Sequence, residues 1–318
     1  MALILDGNNI AYRIWSTEAG NLSTRKGERV GVCYGFIKML HSFLNSEEFD
    51  RYPSYKRPVI VVWDIGKSKR RRELYPEYKG NREKDDSFND FIEQVNLIKE
   101  VIPHFPIISL QLKGYEGDDL IAAICYYLQE EQNVIVTADK DLTTLIDDNV
   151  SMFKLDMFTA GHTLITKANF SEKLKIKYKK KGEPAETPIP FNKMMDLKVL
   201  EGDTSDNING VAGVGKVSIA QLFETFGGLQ EALAVEDYVG DTKLMKTLEK
   251  IRASEDIIKR NYELIDLKKF LDAEILTYVG EELLKDKVVN VEGIRAFYKE
   301  KEFSSLMLSL NDLLSYLI

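Results

Sequence analysis

The sequence has few of the residues on which soft-metal or disulfide chemistry is built. Its 318 residues include two cysteines, Cys33 and Cys125, and three histidines, His41, His104 and His162. Two cysteines exclude a disulfide framework and a zinc ribbon. Scattered imidazoles argue against chemistry that depends on clustered histidines. Long apolar runs are lacking as well. The clean ones are short, such as Val59-Ile60-Val61-Val62-Trp63, against roughly 20 residues for a membrane helix. Met1 to Leu5 lead straight into Asp6 with no basic start, so no secretory signal is expected, and a reducing cytosol is the expected compartment. There is no internal repeat and no low-complexity tract. Positive charge is in deficit: 43 Lys+Arg face 51 Asp+Glu, a formal net charge of −8. Net charge therefore does not announce a nucleic-acid binder. What is present is an ordinary globular balance, 44% hydrophobic and 30% charged, enough for a sizeable core in one large or two smaller domains.

The apolar pattern alternates between short buried strands and helices. Strands are expected at residues 2–5, 58–63, 107–110 and 133–136. Helical spacing appears over 30–44 (Val32, Phe36, Met39, Leu40, Phe43), from Phe88 to Ile102, and from Glu116 to about Gln129. Such alternation predicts a parallel, doubly wound α/β sheet. Residues 173–190, with a lysine run and three prolines, read as an exposed linker or flexible loop. Beyond residue 191 the pattern is mostly helical. The last apolar stretch, Leu306–Ile318, reads as a final core helix in preference to a docking tail.

The acids are placed at the strand ends. Asp6, Asp64 and the Asp139/Asp141 pair each follow an apolar strand, and ligands of open α/β sheets bind at the carboxyl ends of strands. Glu116, Asp118 and Asp119 open a helix that should start on the same edge. Asp203 and Asp206 add another pair. Each acid alone also reads as a helix cap or a turn residue. Together, up to nine carboxylates in one cleft would repel one another and resist burial. Hard divalent cations such as Mg2+ or Mn2+, held by oxygen ligands, resolve that conflict. Two of them can clamp a phosphodiester for in-line attack by water. Asn209-Gly210-Val211-Ala212-Gly213-Val214-Gly215-Lys216 is a second signal, because glycines before a helix start let backbone N–H groups approach a phosphate.

Six motifs occur in a telling order: Asp6-Gly7-Asn8-Asn9, Val61-Val62-Trp63-Asp64, Tyr78-Lys79-Gly80-Asn81-Arg82, Glu116-Gly117-Asp118-Asp119, Thr137-Ala138-Asp139-Lys140-Asp141 and Gly202-Asp203-Thr204-Ser205-Asp206-Asn207. Together, over about residues 1–265, they resemble the 5′-nuclease superfamily of flap endonucleases, polymerase-linked 5′ nucleases and phage 5′-exonucleases and ribonucleases H. The resemblance implies a PIN-like mixed or parallel twisted sheet flanked by helices in residues 1–190. An arch over about residues 67–103 threads a 5′ single strand. A mostly helical region, 191–318, carries a helix–three-turn–helix motif near 202–235. It implies a first metal at Asp6, Asp64, Glu116, Asp118 and Asp139, and a second held or oriented by Asp119, Asp141, Asp203 and Asp206. Lys79 and Arg82 become the cations at the scissile phosphate, Tyr78 stacks on a base, and Arg13 and Arg70, Arg71 and Arg72 line the nucleic-acid path. Gly210, Gly213, Gly215 and Lys216 grip duplex backbone, with an ion, often K+, at the hairpin. Two positions depart from the pattern: Lys216 directly follows Gly215, with Val217 in the usual lysine position, and Gly117 stands where alanine is usual.

The implied activity is a structure-specific 5′-3′ nuclease using two Mg2+, with Mn2+ able to substitute, and leaving 5′-phosphates. The implied substrates are DNA with 5′ flaps or nicks and RNA–DNA hybrid, and the implied task is removal of RNA primers in phage DNA replication. A monomer in the host cytoplasm is expected, with no membrane and with a single-strand-binding protein or other replisome component as partner. Asp119→Asn is expected to abolish cutting while leaving duplex binding largely intact. The competing readings are a non-catalytic branched-DNA-binding protein on the same fold and a PIN-like endoribonuclease. The first would be expected to have lost acids, and the second leaves Gly210–Lys216 unexplained. The lysines between 173 and 181 read equally as a second duplex patch or as a solvated loop.

Overall fold

A computed structural model describes residues 2–45, 58–81, 86–155, 162–180 and 182–318. Its centre is a six-stranded sheet in the order β3-β2-β1-β4-β5-β6. The strands are β1 (Ala2–Asp6), β2 (Val59–Val62), β3 (Ile107–Leu110), β4 (Asn133–Thr137), β5 (Val150–Leu155) and β6 (His162–Ile165). All pairings are parallel except β5 with β6. Parallel strands need both faces covered, which is why they read as continuous apolar runs. Leu3, Leu5, Val59, Val61, Val134 and Val136 face one core; Ala2, Ile4, Ile60, Val62 and Ile135 face the other. The expected α/β sheet is present.

The helices that position the cleft are α1 (Gly7–Trp15), α2 (Gly31–Leu44), α3 (Lys69–Leu74), α4 (Asp86–Val101) and α5 (Gly117–Tyr127). Of these, α2 and α4 share the first core and α5 forms much of the second. A third core gathers α6 (Met194–Glu201), α7 (Lys216–Phe226), α8 (Thr242–Arg252) and α9 (Glu255–Ile265). Beyond Leu267 the chain returns to the sheet. Ile275 and Val279 of α10 (Ala273–Leu283) join the α5 core, and Ile294, Phe297 and Tyr298 of α11 (Val291–Glu300) join the α2 core. Leu306, Leu310, Leu313 and Leu314 are buried there too, so the last apolar stretch is core. The end of the chain thus shares two cores with the sheet.

Residues 175–188 are not a loop. They form an antiparallel hairpin, β7 (Lys175–Lys180) with β8 (Glu183–Pro188), turning at Gly182 with φ +91°. Ile176 is buried while Lys177, Lys179 and Lys180 are exposed. That period-two alternation is a strand signal hidden under the lysine composition. No helix among the described residues is long and apolar enough to cross a membrane.

Candidate active site

Parallel register brings the strand-end acids to one edge. Asp6 lies opposite Val62 of β2, and Leu5 opposite Val136 of β4. Asp64 and Asp139 therefore leave the sheet on either side of Asp6, where the strand order reverses and open sheets place their ligands. The turn after β1 stitches these loops together. Asp6 caps α1 by accepting the Asn9 N–H at 3.1 Å. Asn8 Oδ1 accepts the Asp64 N–H at 3.0 Å, and Asn9 Oδ1 accepts the Ala138 N–H at 2.8 Å. Thr137 Oγ1 donates to Asp6 at 2.8 Å and accepts the Asp139 N–H at 2.9 Å. Gly117 N–H donates to Asp64 Oδ1 at 2.6 Å, and a Cβ at this position would lie 3.3 Å from that oxygen. Glycine in place of alanine allows this close approach.

Asp6 and Asp118 are acted on by the charges of Asp64 and Asp139. Burial, then Asp64 and Asp139, push Asp6 up to about 7 despite its bonds from Thr137 and Asn9. Burial, then Asp139, Asp6 and Asp64, hold Asp118 well above the ordinary carboxylate range. A second group lies beside them. Burial and Asp139 raise Asp141 to about 7, although Lys198 Nζ sits 2.5 Å from its Oδ1 and 3.2 Å from Asp203 Oδ2. Burial also pushes Asp203 up, but bonds from Ser205 and the Lys198 charge outweigh it and leave Asp203 below its ordinary value. Among the described residues, no three His, Cys, Asp or Glu side chains form a ready-made metal cage. The donor set is nonetheless all hard oxygen, with more negative charge than the local cations neutralise. It suits Mg2+ or Mn2+ better than a soft-ligand metal.

These shifts fix a pH dependence. Asp6 and Asp141 bind protons more tightly in the folded state than their ordinary value of 3.8. Folded stability therefore falls as pH rises from about 4 through 7. Glu116 and Asp203 are depressed and contribute the opposite sign, lost only as pH falls below about 4. The cation-free protein should melt higher at pH 5.5 than at pH 8, and Mg2+ at pH 8 should restore the difference; calorimetry in EDTA and in Mg2+ measures both.

Three of the expected ligands pair with cations and a tyrosine of the protein. Asp119 is fully buried, and both its oxygens bind Arg71, at 2.8 and 2.7 Å. Glu116 accepts from Tyr78 Oη at 2.7 Å and lies 2.8 Å from Lys79 Nζ and 3.5 Å from Arg71 Nη1. Burial pushes Glu116 up, but Lys79 and Arg71 together hold it below the usual range. Asp206 Oδ2 is 2.9 Å from Tyr78 Oη and 3.8 Å from Lys79 Nζ. Arg71, expected on the nucleic-acid path, is 3% exposed, packs 3.7 Å above the Phe270 ring and donates Nε–H to Leu264 O. Tyr78, expected to stack on a base, is 2% exposed, so neither ring face is open to one. Both lie inside the fold because they complete the burial of Glu116 and Asp119. Arg70 and Arg72 are exposed, and Arg72 lines an open groove of about 620 Å³ with Lys67, Lys69 and Lys113. Arg13 lies half-buried in the last turn of α1. Arg82 lies outside the described residues.

Sequence reasoning missed Lys198, Thr137 and the buried function of Arg71. Lys198 carried only a weak signal, a lone lysine five residues before Asp203. The glycine hairpin lies between α6 and α7. A Cβ on Gly210 would meet Glu201 O at 2.3 Å, so that glycine is required for packing. Gly213 takes φ +70°, and Gly215 is exposed at the start of α7. Lys216 is half-exposed, 3.3 Å from Glu201. Nearby, burial and the charges of Lys154, Lys216, Lys177 and Lys198 hold Lys140 below its ordinary value. Lys177 of the β7 hairpin is thus one of the cations whose charge reaches Lys140.

The chain resembles known proteins along most of its length. Residues 1–175 match the 5′-3′ exonuclease N-terminal resolvase-like domain, and residues 189–279 its C-terminal SAM fold. The thermostable DNA polymerase I of Thermus caldophilus is 32% identical over 307 residues, 96% of this chain and 32% of the polymerase. DNA polymerase I of Bacillus caldotenax is 30% identical over 308 residues, again 96% of this chain and 32% of the relative. The chain thus spans about a third of the length of these relatives. Among solved structures, a bacteriophage T5 protein crystallised with metal ions superposes with TM-score 0.62 at 22% identity, covering 95% of this chain and 98% of that one. The catalytic core of Rad2 with DNA superposes with TM-score 0.55 at 14% identity, covering 98% and 91%. With the strand-end acids, the glycine hairpin and both family domains in place, the chain belongs to the 5′-3′ exonuclease family.

Proposed function

We propose that the chain is a divalent-cation-dependent nuclease that cuts phosphodiesters at 5′ ends and single-strand/duplex junctions, leaving 5′-phosphate and 3′-hydroxyl. The group Asp6, Asp64, Asp118 and Asp139 carries the reading, because its mutual repulsion raises Asp6 and Asp118 and calls for a hard cation. These four would hold one Mg2+, and Asp141 with Asp203 a second, with Mn2+ able to substitute. Bound cations would neutralise phosphodiester charge and acidify water. The chain's own residues do the rest. Lys79 is tethered at Glu116, where its ammonium can meet a phosphate oxygen and stabilise the charge that develops in cleavage. Glu116, Asp119 and Asp206 act through Arg71, Tyr78 and Lys79, holding the base of the arch in place. The glycine hairpin seats duplex backbone without reading bases, and a K+ held there would add positive charge toward the phosphates.

The substrates proposed are flapped or nicked DNA and RNA–DNA hybrid, and the task is primer removal in phage replication within the host cytoplasm. A monomer aided by a single-strand-binding protein fits this task. Overlap with the phage T5 structure along nearly the full length of both chains supports the phage assignment. The test is cleavage of a labelled 5′-flap duplex and a matched RNA–DNA hybrid in Mg2+: 5′-side cuts rank the substrates, and intact substrates would overturn the reading. Lys177 gives a further expectation. Lys177→Ala should weaken duplex binding in Ca2+ and lower the slope of log affinity against log salt by about one. An unchanged slope would return Lys177 to the solvated surface.

A further inference from the structure

The loop carrying Lys79 is clasped by the segment that leads into the glycine hairpin. Lys79 N–H donates to Asp206 O at 2.9 Å, and Asn207 Nδ2 donates to Glu77 O at 2.8 Å. Asn81 Nδ2 donates to Thr204 O at 3.0 Å, and Lys67 Nζ donates to Lys79 O at 2.8 Å. Lys79 and Asn207 both take left-handed backbone conformations, with φ +53° and +59°. Such conformations persist in non-glycine residues only where surrounding contacts over-determine them, and they gather at functional sites. The clasp is anchored from behind. Ile208–Asn209 pairs with Gly202–Asp203, and Asn209 O accepts from Arg260 and from the fully buried Asn261. The ribbon thus links Lys79's loop to the residue before Gly210.

From these contacts we infer that Asn207 and Asn81 are positioning residues for Lys79, joining the duplex-gripping hairpin to the cation that meets the scissile phosphate. The inference rests on the nuclease reading and on Lys79's place in it. The two amide bonds add to the Asp206 contacts with Tyr78 and Lys79 in fixing the loop of residues 77–81, and losing them loosens the direction of the lysine. Duplex seated on residues 210–215 would steady the ribbon and, through Asn207, the lysine. That would favour cutting at junctions over single strands lacking a duplex.

The test is a double-mutant cycle on single-turnover cleavage of a 5′-flap duplex, with Lys79→Ala, Asn207→Gly and the pair. Glycine keeps access to the left-handed backbone while removing the side-chain bond. Asn207→Gly should slow cleavage on the order of 10- to 100-fold, as expected for a misplaced catalytic group. Flap affinity in Ca2+ and the melting temperature should stay close to wild type. In the Lys79→Ala background the same change should cost less than about 2-fold. Asn81→Ala should follow the same pattern more weakly. Wild-type rates for Asn207→Gly, or an equal penalty with and without Lys79, would overturn the inference. Failure of the wild type to cut would instead overturn the nuclease reading, so the two failures are distinguishable.

Discussion

Replacing Asp118 with asparagine should reduce cleavage by about 10³-fold while making the cation-free protein more stable. The two effects share one cause. Asp118 is crowded by Asp139, Asp6 and Asp64, so its negative charge is costly in the folded state. A neutral amide of nearly the same shape removes that cost. It also removes charge from the proposed ligand set, and electrostatic stabilisation by a bound cation is worth several kcal/mol, each 1.4 kcal/mol being tenfold in rate. Melting in EDTA at pH 8 and single-turnover cleavage in Mg2+ measure the two effects. A variant that cuts normally, or one that melts well below wild type, would place Asp118 in a structural role.

Arg71→Ala should have the largest effect on stability, a loss of about 3–5 kcal/mol, because it strands Asp119 as an uncompensated buried charge. For a chain of this size that corresponds to a fall on the order of 10 °C in melting temperature. Arg71 also stacks on Phe270 and reaches Leu264 O, so it binds α3 to the end of α9 and to the segment that follows. Asp119→Asn should resemble Arg71→Ala, with stability and activity falling together. The sequence alone led to a different expectation, with Asp119 holding or orienting the second metal and its amide variant keeping duplex binding largely intact. A stable Asp119→Asn protein that binds duplex and fails to cut would restore the ligand role.

These two residues show how far the sequence could be read. The strand-end acids were legible because buried parallel strands are uninterrupted apolar runs, and each ends where its first acid appears. Asp6, Asp64 and Asp139 needed no tertiary information to be placed on one edge. Arg71 and Tyr78 were not legible as buried residues, because a run of charges carries no mark of which member turns inward. Arg71 is selected by Asp119, 48 positions away, and Tyr78 by Glu116 and Asp206. Lys198 was hidden for the same reason. The hairpin of residues 175–188 was obscured by composition, since lysine and proline content outweighed the alternation of Ile176 and Tyr178 with exposed lysines. The return of α10 and α11 to the sheet depends on long-range packing that no local period records.

The central claim is that the acidic edge binds hard divalent cations and uses them to cut nucleic acid from the 5′ side. Its most direct test is a time course with an internally labelled 5′-flap duplex, run with Mg2+ and with EDTA. Cuts at the junction or stepping inward from the 5′ end, present in Mg2+ and abolished in EDTA, are the predicted result. Salt-sensitive binding of the same duplex without cleavage in either condition would contradict the account, leaving a DNA-binding protein whose acids serve the fold alone.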